Sequence, residues 1–252
     1  MPFQPKISII TATWNCADTI AGCIESVATQ TYQNREHIII DGASTDETLN
    51  VLDTCRQHLD VFVTEPDRGI YDALNKGIAL ATGDIIGFLH ADDFFSGNDV
   101  LEEVAFAFAD PGVSAVYGDL EYVRQHDVEH VVRKWKAGRC SPVKLRWGWM
   151  PPHPTLYVRR EWYRRVGSFD RSFQIAADYL SVLSLFSQPD FVPKYLPRVL
   201  VRMRLGGASN RSIRNIVQKS HEDYRALRQT GVGGVGALVW KNLSKVGQFI
   251  AP

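Results

Sequence analysis

The chain has 252 residues, with 28 Lys and Arg against 28 Asp and Glu, so its formal net charge is zero. That balance excludes a strongly basic nucleic-acid binder and an acidic solvating tail. The zero is a cancellation, because residues 1–123 hold 5 basic and 20 acidic side chains while residues 124–252 hold 23 and 8. Two halves of opposite sign point to two tasks: cation-assisted chemistry in the first and an anionic partner for the second.

A hydrophobic fraction of 45% with 22% charged residues is that of a folded globular protein with ample core. The four cysteines, Cys16, Cys23, Cys55 and Cys140, form no C-x-x-C pair and no zinc spacing, which fits free thiols in a reducing compartment. No signal peptide is legible and no apolar run reaches the roughly 18 residues that cross a bilayer. A cytoplasmic protein is expected, soluble or peripheral on the inner membrane surface.

Lys6–Ala12 is a β-branched run ending at Thr13-Trp14-Asn15 and reads as a buried strand. Asp18 is placed to cap a helix with Ile20, Cys23, Ile24 and Val27 on one face. His37–Ile40 predicts a second strand closed by Asp41-Gly42. Ser44 with Glu47 reads as a capping box opening a helix that carries Leu49, Val51 and Leu52. Asp60–Thr64, Tyr71–Ala81 and Asp84–Leu89 follow as strand, helix and strand, the last running into His90-Ala91-Asp92-Asp93. Four strands alternating with three helices predict an α/β fold with a doubly wound, mostly parallel sheet. Ligands of such sheets bind beyond the carboxyl ends of the strands. Those ends carry Thr11 and Thr13, Asp41, Glu65 and Asp67, and Asp92 and Asp93.

Beyond Asp110 the pattern changes. Val113–Tyr117 reads as a strand, Leu120–Val123 with Val128–Trp135 as a hairpin, and the Pro- and Trp-rich stretch from Trp147 to Pro154 as an ordered loop. Helices are expected at Glu161–Val166 and Ala177–Ser187, strands at Phe191–Tyr195 and Val199–Arg204, and a helical tail over 212–250 broken at Gly231–Gly236.

Two adjacent carboxylates, Asp92 and Asp93, at the end of an apolar strand are costly to hold together unless a cation neutralises them. A hard divalent ion such as Mg²⁺ or Mn²⁺ suits such oxygen ligands, with substrate phosphates completing the shell. A solvated turn is the competing reading. Asp41 stands where a nucleotide-binding sheet places an acceptor for base or ribose, and its competing role is a turn or cap. Glu65–Gly77 crowds charge at a loop-to-helix junction. There Asp72 and Lys76 are also an ordinary i,i+4 pair, and Asp67 and Arg68 are assigned to binding.

These stretches, Ser8–Asn15, Ile40–Asp46, Glu65–Gly77 and Gly83–Asp93, resemble family 2 glycosyltransferases of the GT-A fold, nearest to bacterial enzymes that build exopolysaccharide, colanic-acid-like or glycolipid sugars. The ordered motifs cover residues 6–93, with weaker ones to about 205. The resemblance implies that Thr11, Thr13 and Asp41, with part of the Asp67–Arg68 loop, contact the base and ribose of a nucleotide-diphosphate sugar. It places Asp92 near the ribose and donor sugar, and also among the metal ligands with Asp93, which ligates the metal that bridges the diphosphate. The family usually has Asn or another residue where His90 stands, and Met is common where Leu74 stands.

In the second half the family's catalytic base is an acid at a helix start after a Phe-Asp turn, which matches Asp178 in Gly167–Tyr179; a helix cap is its competing role. Asp170 is the runner-up, read as a turn former. Pro151–Thr155 matches the acceptor side, so His153 is assigned to acceptor or leaving phosphate, and Tyr71 and Asp72 are grouped with it. His126 and His130 have metal-like spacing but sit at the hairpin tip, where a solvated surface is the better reading. Gly231–Gly236 fits G-x-G-x-x-G, yet no strand precedes it, and a helix break is preferred.

The implied activity is metal-dependent, inverting transfer of a sugar, from a UDP-sugar by preference, to a hydroxyl of a saccharide or lipid-linked saccharide. Residues 1–120 are read as the nucleotide-sugar half of one GT-A domain, 121–210 as the acceptor and base half, and 211–252 as a basic amphipathic extension. Its stripe of Val239, Leu243, Val246 and Ile250 beside Lys241 and Lys245 fits either an anionic membrane surface or packing on its own domain or a second subunit as a homodimer. A nucleotide-sugar sensor without transfer activity and a sugar nucleotidyltransferase are the competing classes; the latter lacks its Gly-rich loop after the first strand. No nucleic-acid partner is expected.

Overall fold

A computed structural model describes residues 4–206, 213–234, 236–238 and 241. The first half builds β1 (Ile7–Thr13), α1 (Ala17–Ala28), β2 (Arg35–Asp41), α2 (Thr48–Thr54), β3 (Val61–Thr64), α3 (Ile70–Leu80) and β4 (Ile85–Phe88). These four strands lie parallel in the order β3-β2-β1-β4. Strand residues point alternately to the two faces, and the apolar runs divide accordingly. Ile10, Ile38, Ile40 and Ile86 enter the core under α3, whereas Ile7, Ile9, Ile39 and Ile85 enter the core under α1. A fully buried strand needs isoleucine on both sides, which is why these runs show no polar alternation. Gly77 lets α3 lie directly on β1, since a Cβ there would run into Ile10 Cγ2.

The second half continues the same sheet. It adds β5 (Asp93–Phe95), α4 (Val100–Ala107), β6 (Ala115–Val123), β7 (Val131–Trp135), α5 (Pro142–Arg146), β8 (Tyr157–Arg159), α6 (Arg160–Val166), α7 (Ala177–Phe186), β9 (Pro193–Arg204) and α8 (Ile213–Thr230). The sheet runs β3-β2-β1-β4-β8-β6-β9-β5, with β7 paired to β6. β8 joins β4 and β6 antiparallel, β9 lies parallel to β6, and β5 closes the edge antiparallel to β9. The GT-A-type mixed α/β sheet expected from sequence is therefore present, with its parallel part confined largely to the first half.

Several local expectations change. Val113–Tyr117 and Leu120–Val123 belong to one strand, as do Phe191–Tyr195 and Val199–Arg204, and α4 and β5 went unread in the sequence. Cys16, not Asp18, occupies the start of α1. Ser44 does not cap α2: its hydroxyl donates to Asp41 Oδ1 (2.5 Å) and accepts from the Asn15 amide (2.9 Å). The cap comes from Asp46, whose carboxylate accepts from the Thr48 amide at 3.0 Å. Asp46 stands two residues nearer the helix and is better placed to reach its first free N–H.

All four cysteines are free thiols, and His126 and His130 are exposed near the β6–β7 turn. Gly231, with φ 66°, follows the last residue of α8, the left-handed stop that glycine accepts most readily. The tail residues Val239, Leu243, Lys245, Val246 and Ile250 lie outside the described residues. Lys241, expected on a basic solvent face, is instead 3% exposed and paired with Asp223 at 2.9 Å. Among the described residues no helix is long and apolar enough to cross a membrane.

Candidate active site

At the carboxyl ends of β1, β2 and β3, the Asp41 carboxylate is fully buried and tightly held. It accepts from the Ser44 amide (3.0 Å), the Ser44 hydroxyl (2.5 Å) and the Thr64 hydroxyl (2.7 Å). Asp41 thus fills the turn role as well as standing at the strand end. Asp67 reaches toward it from the next loop. Its Oδ1 pairs with Lys76 Nζ at 2.5 Å, and its Oδ2 would stand 3.2 Å from a Cβ on Gly42. The ring of Trp14, 67% exposed, would stand 3.5 Å from the same point. Asp67, Gly42 and Trp14 therefore border one notch, which only a residue without a side chain at 42 leaves open. Trp14 escaped the sequence reading, although an aromatic just past a buried strand was the available signal.

Thr11 is not brought to this notch. It is fully buried and its hydroxyl bonds His37 Nε2 at 3.0 Å. Thr13, nearly buried, contacts Cys16 Sγ at 2.5 Å. The Arg68 amide donates to Asp72 Oδ2 at 3.1 Å, while Asp72 Oδ1 accepts from Arg171 Nη1 at 2.7 Å. The Arg171 guanidinium and these bonds hold the Asp72 carboxyl below its ordinary range. Asp72 thereby ties the loop before α3 to the loop before α7.

Asp92 and Asp93 part company. Residues adjacent in extended chain face opposite sides, and β5 begins at Asp93. Asp92 is half-buried at the mouth of β4, while Asp93 is wholly enclosed on the α1 side, near Cys23. Neither Asp93 carboxylate oxygen has a hydrogen-bond partner among the described residues. Burial, with the neighbouring Asp92 charge, pushes this carboxyl well above the ordinary range against the pull of Arg204. Arg204 Nη1 also donates to the Asp92 carbonyl at 2.6 Å, fixing the loop from β9. The half-buried Asp92 carboxylate would offer one oxygen ligand to a divalent ion of the Mg²⁺ or Mn²⁺ kind, with phosphate oxygens and water completing its shell. Among the described residues no three His, Cys, Asp or Glu side chains form an all-protein cage.

Beside this loop, two histidines join the halves. The His153 ring stacks on Phe88 (centroids 5.2 Å, planes 19° apart), and the His90 ring lies 6.4 Å from it. Burial lowers the His153 pKa to about 4, with His90 adding to the effect and Asp178 opposing it. Burial also lowers His90, opposed by the charges of Asp92 and Asp178. Asp178, half-buried in the first turn of α7, thus acts on His90 together with Asp92, the strand-end acid from the other half. The Tyr71 hydroxyl donates to the Ile175 carbonyl at 2.7 Å and lies 3.3 Å from Asp178 Oδ1. Burial and the Asp178 charge raise the Tyr71 phenol, so it stays a donor. The His90–His153 ring pair and the Tyr71–Asp178 contact therefore bring together the loop after β4, α3, α7 and the segment before β8, with Asp92 two residues beyond His90.

The sequence profile described as Glycosyl transferase family 2 matches residues 8–175, two thirds of the chain. The chain belongs to this family. An uncharacterised glycosyltransferase of Mycobacterium tuberculosis is 35% identical over 192 residues, covering 73% of this chain and 70% of its own. A PGL/p-HBAD biosynthesis glycosyltransferase of Mycobacterium tuberculosis is 32% identical over 211 residues, 82% and 80% of the two chains. Among solved structures, S. aureus TarS in complex with UDP-GlcNAc superposes with a TM-score of 0.71 at 18% identity, over 90% of this chain and 66% of that one. The mannosyltransferase PcManGT of Pyrobaculum calidifontis, in complex with GDP-Man and Mn²⁺, gives a TM-score of 0.63 at 19% identity over 99% and 76%. At those identities the superpositions establish the GT-A-type fold. The family profile stops three residues before Asp178, so that carboxylate rests on the geometry of this chain.

Proposed function

We propose that this family 2 chain transfers a sugar from a nucleotide-diphosphate sugar, a UDP-sugar by preference, to the hydroxyl of a saccharide or lipid-linked saccharide, inverting the anomeric carbon. The observation that carries this reading is the His90–His153 ring pair, which joins the strand-end loop holding Asp92 to the second half of a chain that the family 2 profile matches over residues 8–175. Asp178 removes the acceptor proton as the hydroxyl attacks, the role of a general base. Tyr71 steadies that carboxylate as a hydrogen-bond donor. Asp92, rather than the enclosed Asp93, holds the divalent ion, which when bound offsets negative charge on the departing diphosphate. Trp14, Gly42 and Asp67 border the space for the base and ribose, with Asp41 fixing the turn behind them. His153, neutral at physiological pH, faces the acceptor side.

The neighbours named for UDP-GlcNAc and for GDP-Man with Mn²⁺ support the donor class, and the PGL/p-HBAD relative supports a glycolipid or polysaccharide acceptor. The +15 half suits an anionic acceptor or an inner-leaflet surface, and flotation with anionic liposomes tests that location. A panel of UDP-, GDP- and dTDP-sugars with Mn²⁺ identifies the donor. With it, Asp178→Asn loses about a hundredfold or more in kcat while UDP still binds. Near-normal turnover by this variant, or a product of retained configuration, overturns the assignment.

A further inference from the structure

Helix α7 begins without a cap of its own. Its N-cap residue is Ala176, whose side chain makes no capping bond. The first N–H groups of a helix must find partners elsewhere, and buried ones left open are costly. Here one of them, the N-cap amide of Ala176, and the two loop amides before it find their partner on α8. The Glu222 carboxylate, 5% exposed, accepts from the Gln174 amide (3.1 and 3.2 Å), the Ile175 amide (2.8 Å) and the Ala176 amide (2.9 Å). Gln218 Nε2 adds a bond to Glu222 Oε1 at 3.2 Å and one to Gln174 Oε1 at 2.7 Å. A carboxylate on three successive amides at a helix N-terminus is also favoured by the helix dipole.

The Ile175 peptide is consequently gripped from both sides, its N–H by Glu222 and its carbonyl by the Tyr71 hydroxyl. Asp178 lies three residues on, in the first turn. The next residue of α8 secures the support. Asp223 pairs with Lys219 (2.8 Å) and Lys241 (2.9 Å), and Lys241 Nζ sits over the ring of Tyr179.

We propose that Glu222 is a positioning residue for the general base: the C-terminal helix supplies the cap that fixes the start of α7 and, through it, the reach of Asp178 to the acceptor hydroxyl. The proposal rests on the reading of Asp178 as base. Glu222 is nearly buried, so its influence on Asp178 passes through the backbone of 174–176.

The test uses the full chain and whichever UDP-, GDP- or dTDP-sugar the unaltered protein turns over fastest with Mn²⁺, scored by nucleotide release. Glu222→Ala is expected to lower kcat about ten- to a hundredfold, with KM for the donor within about twofold. Glu222→Gln, which keeps one acceptor oxygen in place, is expected to recover part of the loss and serves if the alanine variant does not fold. Hydrogen exchange at the amides of 174–176 is expected to accelerate in both variants, while amides of β1 and β4 stay protected. In an Asp178→Asn background, the Glu222 substitutions are expected to change residual turnover less than twofold, because residues acting as one unit are not additive. Unchanged turnover in folded Glu222 variants overturns the proposal, as does an undiminished Glu222 effect in the Asp178→Asn background. Normal turnover by Asp178→Asn alone overturns the base reading instead, and the two failures are distinct.

Discussion

Gly87 sets the spacing between β4 and β8, and Gly87→Ala is expected to damage stability and activity together. A Cβ at this position would stand 2.5 Å from Tyr157 Cε1, 2.6 Å from Cδ1 and 3.4 Å from Ile9 Cδ1. Carbon atoms rest comfortably at about 3.5–4.0 Å, so roughly 1 Å must be absorbed. Tyr157 is 1% exposed and pairs directly with Gly87 across the strands, leaving its ring no free direction. Overpacking of this kind costs about 1–3 kcal/mol, and a rigid ring puts the cost near the upper end. The lower chain entropy of alanine returns about 0.5–1 kcal/mol, leaving a net loss of about 2 kcal/mol. Urea unfolding followed by circular dichroism reads that loss as a lower midpoint at constant slope. Because β4 runs directly into His90 and Asp92, a shift of that size is also expected to cut kcat up to about a hundredfold. Shrinking the partner in Gly87→Ala/Tyr157→Ala gives the new methyl room, so the double variant is expected to lose less than the two single losses added together. A Gly87→Ala protein as stable as the parent, or additive single losses, refutes this account.

Two further perturbations probe the site and its surroundings. Tyr71→Phe leaves the Ile175 carbonyl and Asp178 without their phenol donor; a stability loss of about 1–2 kcal/mol and a kcat loss of about tenfold are expected from unfolding curves and steady-state kinetics. Parent-like values for both would show that the hydroxyl supports neither. His37 and His153 are held neutral chiefly by burial, at about 3 and about 4, whereas unfolded imidazoles protonate near 6.5. The unfolded chain therefore binds more protons between about pH 6.5 and 4, and stability falls on acidification by about 1.4 kcal/mol per pH unit for each histidine. Unfolding free energies measured from pH 7 to 4 are expected to fall on acidification, and to fall less steeply in His153→Gln; an unchanged slope in that variant contradicts the burial of the His153 ring.

The parallel half of the fold was legible because its signals are local: isoleucine runs of strand length, helical periodicity between them, and acids at each strand end. The choice between Asp92 and Asp93 was not, because it depends on where β5 begins, and that strand exists only through its pairing with β9. Ser44 misled for a related reason: its cap role is the obvious local one, and its bonds to Asp41 and the Asn15 amide depend on β1 and β2 lying side by side. Thr11 shares its strand with residues of the crevice but faces His37, a matter of pleat rather than composition. The helix α4 was available in the spacing of Val100, Leu101, Val104 and Phe108 and went unread. Glu222 offered no local cue, since its partners lie 46–48 residues earlier in the loop that leads into a different helix.

The acid loop hangs between two strands of very different ancestry in the chain. β4 pairs with β1, formed within the first 88 residues, while β5 pairs with β9 and Arg204 clamps a carbonyl 112 residues upstream. Contacts that close long stretches of chain form slowly because their entropy must be spent first. A nascent chain shorter than about 204 residues can thus complete the sheet ends that border Trp14 and Asp67 but cannot anchor Asp92 from both sides. Under the proposed roles, a chain shortened before β9 is expected to bind nucleotide without transferring sugar, which nucleotide titration and product assays on such a chain would read.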